Sequence, residues 1–222
     1  MAKTKKTIVS LSPDDMDRIQ RRNNAMELIR DKDYEIIKAD LKDDICTFKY
    51  CILEGVGAGR VHSVNDSIHI SEPQLRKAFE KFKVHMAVIS GAFADSQIEI
   101  DDIDKFHEHD ITELFTVTGF EVHGTEDDPK IKLVGNKYVS VSRGRIDIKT
   151  HKVPMDNLGG YQWYYELKQA ADDACMEVAL YKEGYYEPLP EDEEEDADQT
   201  KMNLFGGDQP AITDNEFETG KV

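Results

Sequence analysis

Lys130-Ile131-Lys132-Leu133-Val134-Gly135-Asn136-Lys137-Tyr138-Val139-Ser140-Val141-Ser142-Arg143-Gly144-Arg145-Ile146-Asp147-Ile148-Lys149-Thr150 is the stretch on which the fold class turns. Residues 130–134, 138–141 and 145–150 are strand candidates, because their β-branched and aromatic side chains sit in short runs broken by turn residues. Val139 and Val141 alternate with serines, and Ile146 and Ile148 alternate with polar residues. Ser142-Arg143-Gly144 supplies a glycine-containing turn between the last two runs, so this stretch reads as a β-hairpin.

Upstream, 34–41 and 45–53 read as strands, the second with Cys46, Phe48, Tyr50 and Ile52 on one face. Gly55-Val56-Gly57-Ala58-Gly59-Arg60 turns the chain, 61–70 is a returning strand, and 111–122 is a further strand. Helices separate these groups. Ser12 can cap a helix opened by Pro13-Asp14-Asp15, where proline suits the first position and the acids complement the dipole. Its stripe of Met16, Ile19, Met26 and Ile29 is thin, which places it at the surface. Ser71 and Gln74 have capping-box spacing ahead of a helix over 72–90, with Leu75, Phe79, Phe82, Met86, Ile89 and Phe93 as its buried side. Trp163, Tyr164, Leu167, Ala171, Ala174, Val178 and Tyr181 mark a last helix, stopped at Gly184.

Helix, strands, helix, strands, helix, without regular β-α alternation, predicts an α+β fold: a mostly antiparallel sheet packed with about three helices. The expected organisation is a flexible N-terminus over 1–11, one α+β domain over 12–189, and an acidic, disordered C-terminal tail over 190–222 that carries a short apolar peptide.

Composition bounds the setting. A chain of 222 residues with 39% hydrophobic content can bury one sizeable core. No apolar run approaches the roughly 20 residues of a membrane span, and no secretory apolar region follows the basic start, so a cytoplasmic, membrane-free protein is expected. Cys46, Cys51 and Cys175 make no disulfide framework and read as small apolar fillers.

Chemical motifs are sparse. Gly55, Gly57 and Gly59 lack the third-glycine spacing and following helix of a dinucleotide loop, and the ending of a phosphate loop, so they read as a flexible hairpin. His107, His109 and Asp110 are of metal-ligand type, and on a strand the two imidazoles would share a face, but their spacing matches no metal signature. They read as a solvated connector, and neither a metal nor another cofactor is expected. No nucleophile pattern accompanies Ser90-Gly91, which weighs against an enzyme.

Charge is more informative. The net charge is −17, and the tail over 190–222 carries eleven acids against two lysines, −9 of that total. Between Pro129 and Lys152 the sign reverses: seven basic residues stand against Asp147 alone. On a hairpin with Ile146 and Ile148 inward, Arg145, Asp147 and Lys149 face outward together. Lys130, Lys132, Lys137, Arg143, Arg145 and Lys149 then form a basic ribbon that can track phosphates, with Tyr138 placed to stack on a base. The competing reading is a solvated strand pair neutralised by Glu126-Asp127-Asp128.

Within the tail, Gln199-Thr200-Lys201-Met202-Asn203-Leu204-Phe205 is an apolar cluster with no core to join. It resembles sliding-clamp-binding peptides: Gln199, Met202 and Phe205 match the first, fourth and seventh positions of the longer form, although Gly206 replaces the final aromatic. Met202, Leu204 and Phe205 fit the shorter bacterial form, with Lys201 where glutamine belongs. A basic β surface with an acidic tail also resembles the layout of single-stranded DNA-binding proteins, whose tails recruit replication proteins. The resemblance implies a non-enzymatic nucleic-acid-binding accessory protein of replication or recombination in a phage or mobile element. Its partners would be single-stranded nucleic acid and, through Gln199, Met202, Leu204 and Phe205, a replication protein such as a sliding clamp. The alternative is a protein-interaction or assembly module, and a third class is a metal-dependent enzyme using His107, His109 and Asp110.

Overall fold

The computed structural model describes residues 12–30, 33–125 and 127–188. In chain order it contains α1 (Pro13–Arg30), β1 (Tyr34–Lys42), β2 (Ile45–Ile52), β3 (Val61–Asn65), α2 (Pro73–Glu80), α3 (Phe82–Ile89), α4 (Ala92–Asp95), a 3-10 turn (Ile103–Phe106), α5 (Asp110–Glu113), β4 (Phe115–His123), β5 (Lys130–Val139), β6 (Gly144–Lys149), β7 (Val153–Pro154) and α6 (Tyr164–Lys182). The strands form one antiparallel sheet in the order β3-β2-β1-β4-β5-β6, with β7 also paired to β5. This is the expected α+β class. Six helices are present among the described residues, of which α4 and α5 are single turns.

Alternation explains which face is covered. Ile36, Ala39, Cys46, Phe48, Phe120, Ile131 and Leu133 are buried and meet Leu75, Phe79, Phe82 and Met86 of α2 and α3 and Leu167, Ala171, Ala174 and Val178 of α6 in one core. Rings carry much of it: Phe120 lies 5.5 Å from Phe79 and 5.6 Å from Phe82. Cys46 and Cys175 pack here too, and burial pushes both thiols up to about 12.

The hairpins follow from their turns. Asp43 and Asp44 join β1 to β2 at φ 50° and 63°, the doubly left-handed geometry of a two-residue hairpin. The glycine run connects β2 to β3, with Gly59 donating to the Ile52 carbonyl at 2.8 Å, and no helix follows it. The β5–β6 hairpin forms as expected, with Arg143 in its turn at φ 51°.

Five features differ from expectation, three of them because a side chain or a tertiary pairing intervenes. The Ser71–Gln74 capping box does not form. Ser71 is fully buried and bridges to Tyr186, while extended Glu72 holds the cap position without a side-chain hydrogen bond. The box geometry occurs instead at α1, where Asp15 N–H donates to the Ser12 hydroxyl at 3.1 Å and Ser12 N–H donates to the Asp15 carboxylate at 3.3 Å. The helix expected over 72–90 is two helices joined at Lys81, and Phe93 follows left-handed Gly91 in α4. β3 stops at Asn65 because Asp66 Oδ1 accepts from the backbone N–H groups of Ser67, Ile68 and His69. β4 begins only at Phe115, since His109 Nδ1 accepts from Ile111 N–H at 3.1 Å and caps α5. Strands 130–134 and 138–141 are one strand, β5, and Val141 lies beyond it, 95% exposed.

α1 lies on the surface, with Ala25 its one buried residue. Among the described residues no helix is long and apolar enough to cross a membrane.

Candidate nucleic-acid interface

The helices that meet the sheet, α2, α3, α5 and α6, pack against its inner face, which leaves the outer face without a helical cover among the described residues. β5 sets the pattern: Ile131 and Leu133 are fully buried, so Lys130, Lys132, Val134, Asn136 and Tyr138 point the other way. Register carries this across the sheet, because directly paired residues share a face. Lys132 pairs with Glu121, Glu121 with Lys38, and Lys38 with Lys49, giving one row across four strands. Lys149 pairs with Val134, Asp147 with Asn136, and Arg145 with Tyr138.

The sequence-marked ribbon therefore divides. Lys130, Lys132, Tyr138, Arg145 and Lys149 share the outer face, and Arg145, Asp147 and Lys149 lie on it together as the hairpin alternation requires. Lys137 does not: it projects to the inner face, its Nζ 5.3 Å from the Phe115 ring centroid. Arg143 sits in the turn rather than on the ribbon. Ile148 packs against the core as expected, whereas Ile146 is 51% exposed, since the hairpin extends past the helices.

Lys38, Lys42 and Lys49 join this face from β1 and β2 and were not marked from sequence. The signal for Lys49 was available, since it alternates with Phe48 and Tyr50. The face as a whole carries seven cations, Lys38, Lys42, Lys49, Lys130, Lys132, Arg145 and Lys149, against Glu35, Asp40, Glu121 and Asp147. Lys38 pairs with Asp40 at 2.9 Å and Lys130 with Asp128 at 2.7 Å. Lys49, Lys132 and Lys149 make no ion pair with a described residue. Arg145 Nη1 donates to Thr116 Oγ1 at 2.9 Å and to Asn136 Oδ1 at 2.8 Å, which orients its guanidinium over the sheet without neutralising it. Tyr138 is 39% exposed beside it.

On the helical side, a pocket of about 470 Å³ is lined by His85, Asp104, His107, Glu166 and Asp172, among others. His85 is buried and its Nδ1 lies 2.9 Å from the Tyr161 hydroxyl, with burial first and then His107 lowering its pKa to about 3. His107 and His109 diverge, because neither is on a strand: His107 lies by Asp104 at 3.6 Å, while His109 caps α5 and packs against the Phe93 and Phe106 rings. Asp110 begins α5. Among the described residues no group of three histidine, cysteine or carboxylate side chains is placed to hold a metal ion.

Gln199, Met202, Leu204 and Phe205 lie outside the described residues. No protein-family model matches this chain, and neither a curated protein nor a solved structure shows a significant match.

Proposed function

We propose that this chain is a non-enzymatic accessory protein of DNA replication or recombination, cytoplasmic and of phage or mobile-element type, that binds single-stranded nucleic acid on the outer face of its sheet. The observation that supports it is the row Lys49, Lys38, Glu121 and Lys132, cationic at three of its four positions and accompanied by Lys149 and oriented Arg145, on a sheet face that no described helix covers. Phosphates are met by Lys49, Lys132 and Lys149, which make no ion pair with a described residue, in a face where cations outnumber acids, and Tyr138 offers a ring to a base. The tail peptide around Met202, Leu204 and Phe205 would recruit a replication partner such as a sliding clamp, a role that rests on its sequence alone.

The test is anisotropy of a labelled single-stranded oligonucleotide over a salt series. Lys132→Glu with Lys149→Glu should weaken binding and lower the salt slope by about 0.7 for each phosphate that is no longer neutralised. Lys77→Glu, on the exposed side of α2, should not. Equal affinity for all three proteins at low salt would sink the reading.

One observation favours the alternative, a protein-interaction module. Met16, Ile19 and Met26 recur at helical spacing on α1 and are 61%, 46% and 45% exposed. Loss of a partner from Ile19→Asp, with no nucleic-acid binding by the wild type, would select it.

A further inference from the structure

The outer face is interrupted. β1 and β4 pair only where Lys38, Ala39 and Asp40 meet Glu121, Phe120 and Gly119. Beyond that pairing β1 continues with β2 to the Asp43–Asp44 turn, while β4, bulged between Val117 and Gly119, stays with β5. A groove of about 870 Å³ opens where they part.

Its lining is graded. Phe79 of α2 and Val117 give it an apolar floor, Thr116, Asn136 and Asp147 a polar wall, and Arg145 and Lys149 a cationic rim shared with the outer face. Its cations and acids are equal in number, five of each, and several cancel internally: Arg76 pairs with Asp44 and Glu187, and Lys83 with Glu80. The groove itself therefore has little attraction for a free polyanion. It suits a flat, uncharged group with donors and acceptors on its edge, attached to a phosphate chain that the surrounding face holds.

Resting on the nucleic-acid reading above, we infer that this groove receives an unpaired nucleobase of a single-stranded nucleic acid whose phosphates run across the outer face. The hydroxyl, amide and carboxylate of Thr116, Asn136 and Asp147 offer both hydrogen-bond senses to a base edge, above the apolar floor of Phe79 and Val117. The volume lies within the range of small-ligand pockets, about 300–1,000 Å³. Bases in a duplex are stacked and paired and reach such a groove only at the cost of flipping out, so single strands are preferred.

The probes are two labelled 20-mers of equal charge, one of thymidine and one an abasic sugar-phosphate strand, measured by anisotropy across a salt series. Wild type should bind the thymidine strand about tenfold more tightly than the abasic one, with the same salt slope. Val134→Phe, which fills the groove from β5 and leaves every charge in place, should remove that preference while keeping the abasic affinity. Thr118→Tyr fills the groove from β4 and replaces Val134→Phe if that variant melts early. Equal binding of both strands by wild type, or a preference that survives filling of the groove, overturns the inference and leaves the phosphate-binding face standing. Failure of wild type to bind either strand at low salt removes both.

Discussion

At position 135 the sheet admits only a hydrogen. A Cβ built on Gly135 stands 2.1 Å from the Thr116 carbonyl oxygen, and that atom belongs to backbone that cannot swing aside. Gly135→Ala must therefore part β4 from β5, and we expect a loss of about 1–3 kcal/mol, read from the urea midpoint. His85 sets a different residue-scale expectation. Its folded pKa is lowered to about 3, against about 6.5 for an unperturbed imidazole. The unfolded chain thus binds more protons between those values, and stability falls as pH drops through that window. His85→Gln should flatten the dependence of melting temperature on pH over its upper part. A fall at still lower pH should remain. Burial opposes ionisation of Asp66, yet hydrogen bonds from Ile68 N–H, the His69 ring and the Tyr181 hydroxyl hold its carboxyl well below the usual range. That contribution is complete above the ordinary carboxylate pKa and is lost as pH falls towards the folded value. A wild-type profile that is flat below neutrality would contradict both assignments.

Among the elements, α1 is the one held mainly by charge. It buries Ala25 alone, but Arg18 and Arg21 each reach the 1%-exposed Glu72 carboxylate at 3.1 Å, and Arg22 pairs with Glu177 and lies over the Tyr185 ring at 5.4 Å. Solvent at the arginines tempers these pairs, so Glu72→Gln should cost about 1 kcal/mol locally rather than unfold the molecule. Amide exchange should quicken across α1 and stay unchanged in β4 and β5. Both ends of this clasp show what sequence could disclose. Ser12 and Asp15 are neighbours whose capping depends on nothing outside the helix, and that start was legible. Ser71 and Gln74 have the same kind of spacing, but pairing of Ser71 with Tyr186 takes the chain elsewhere, and no local pattern records a partner so far along the sequence. Likewise the β5–β6 hairpin could be read from alternation and its turn. The division of its cations between faces depended on seeing β5 as one strand through Gly135, which places Lys137 inside and Lys132 outside. Lys38 joins them only through the pairing of β1 with β4, and the groove arises where that pairing ends. Neither has a counterpart in the order of residues.

For the whole molecule, the distribution of charge matters more than its total. The tail over 190–222 holds −9 of the net −17, yet the outer face of the sheet carries seven cations against four acids. A chain so acidic should be repelled by polyanions unless the face is locally distinct, and at about 0.15 M salt fields fade within about 8 Å, so the charges on that face outweigh the distant net charge. The tail's eleven acids against two lysines carry the same sign of charge as a nucleic acid, so their removal is expected to favour any strand that binds the face. A protein truncated after Pro190 should accordingly bind a single-stranded 20-mer more tightly than the full chain at low salt. The advantage should shrink as salt rises, because screening weakens the tail and the strand alike. Equal affinities across the series would mean that the tail's charge plays no part in binding. Weaker binding by the truncated protein would place nucleic-acid binding in the tail itself, against its sign of charge.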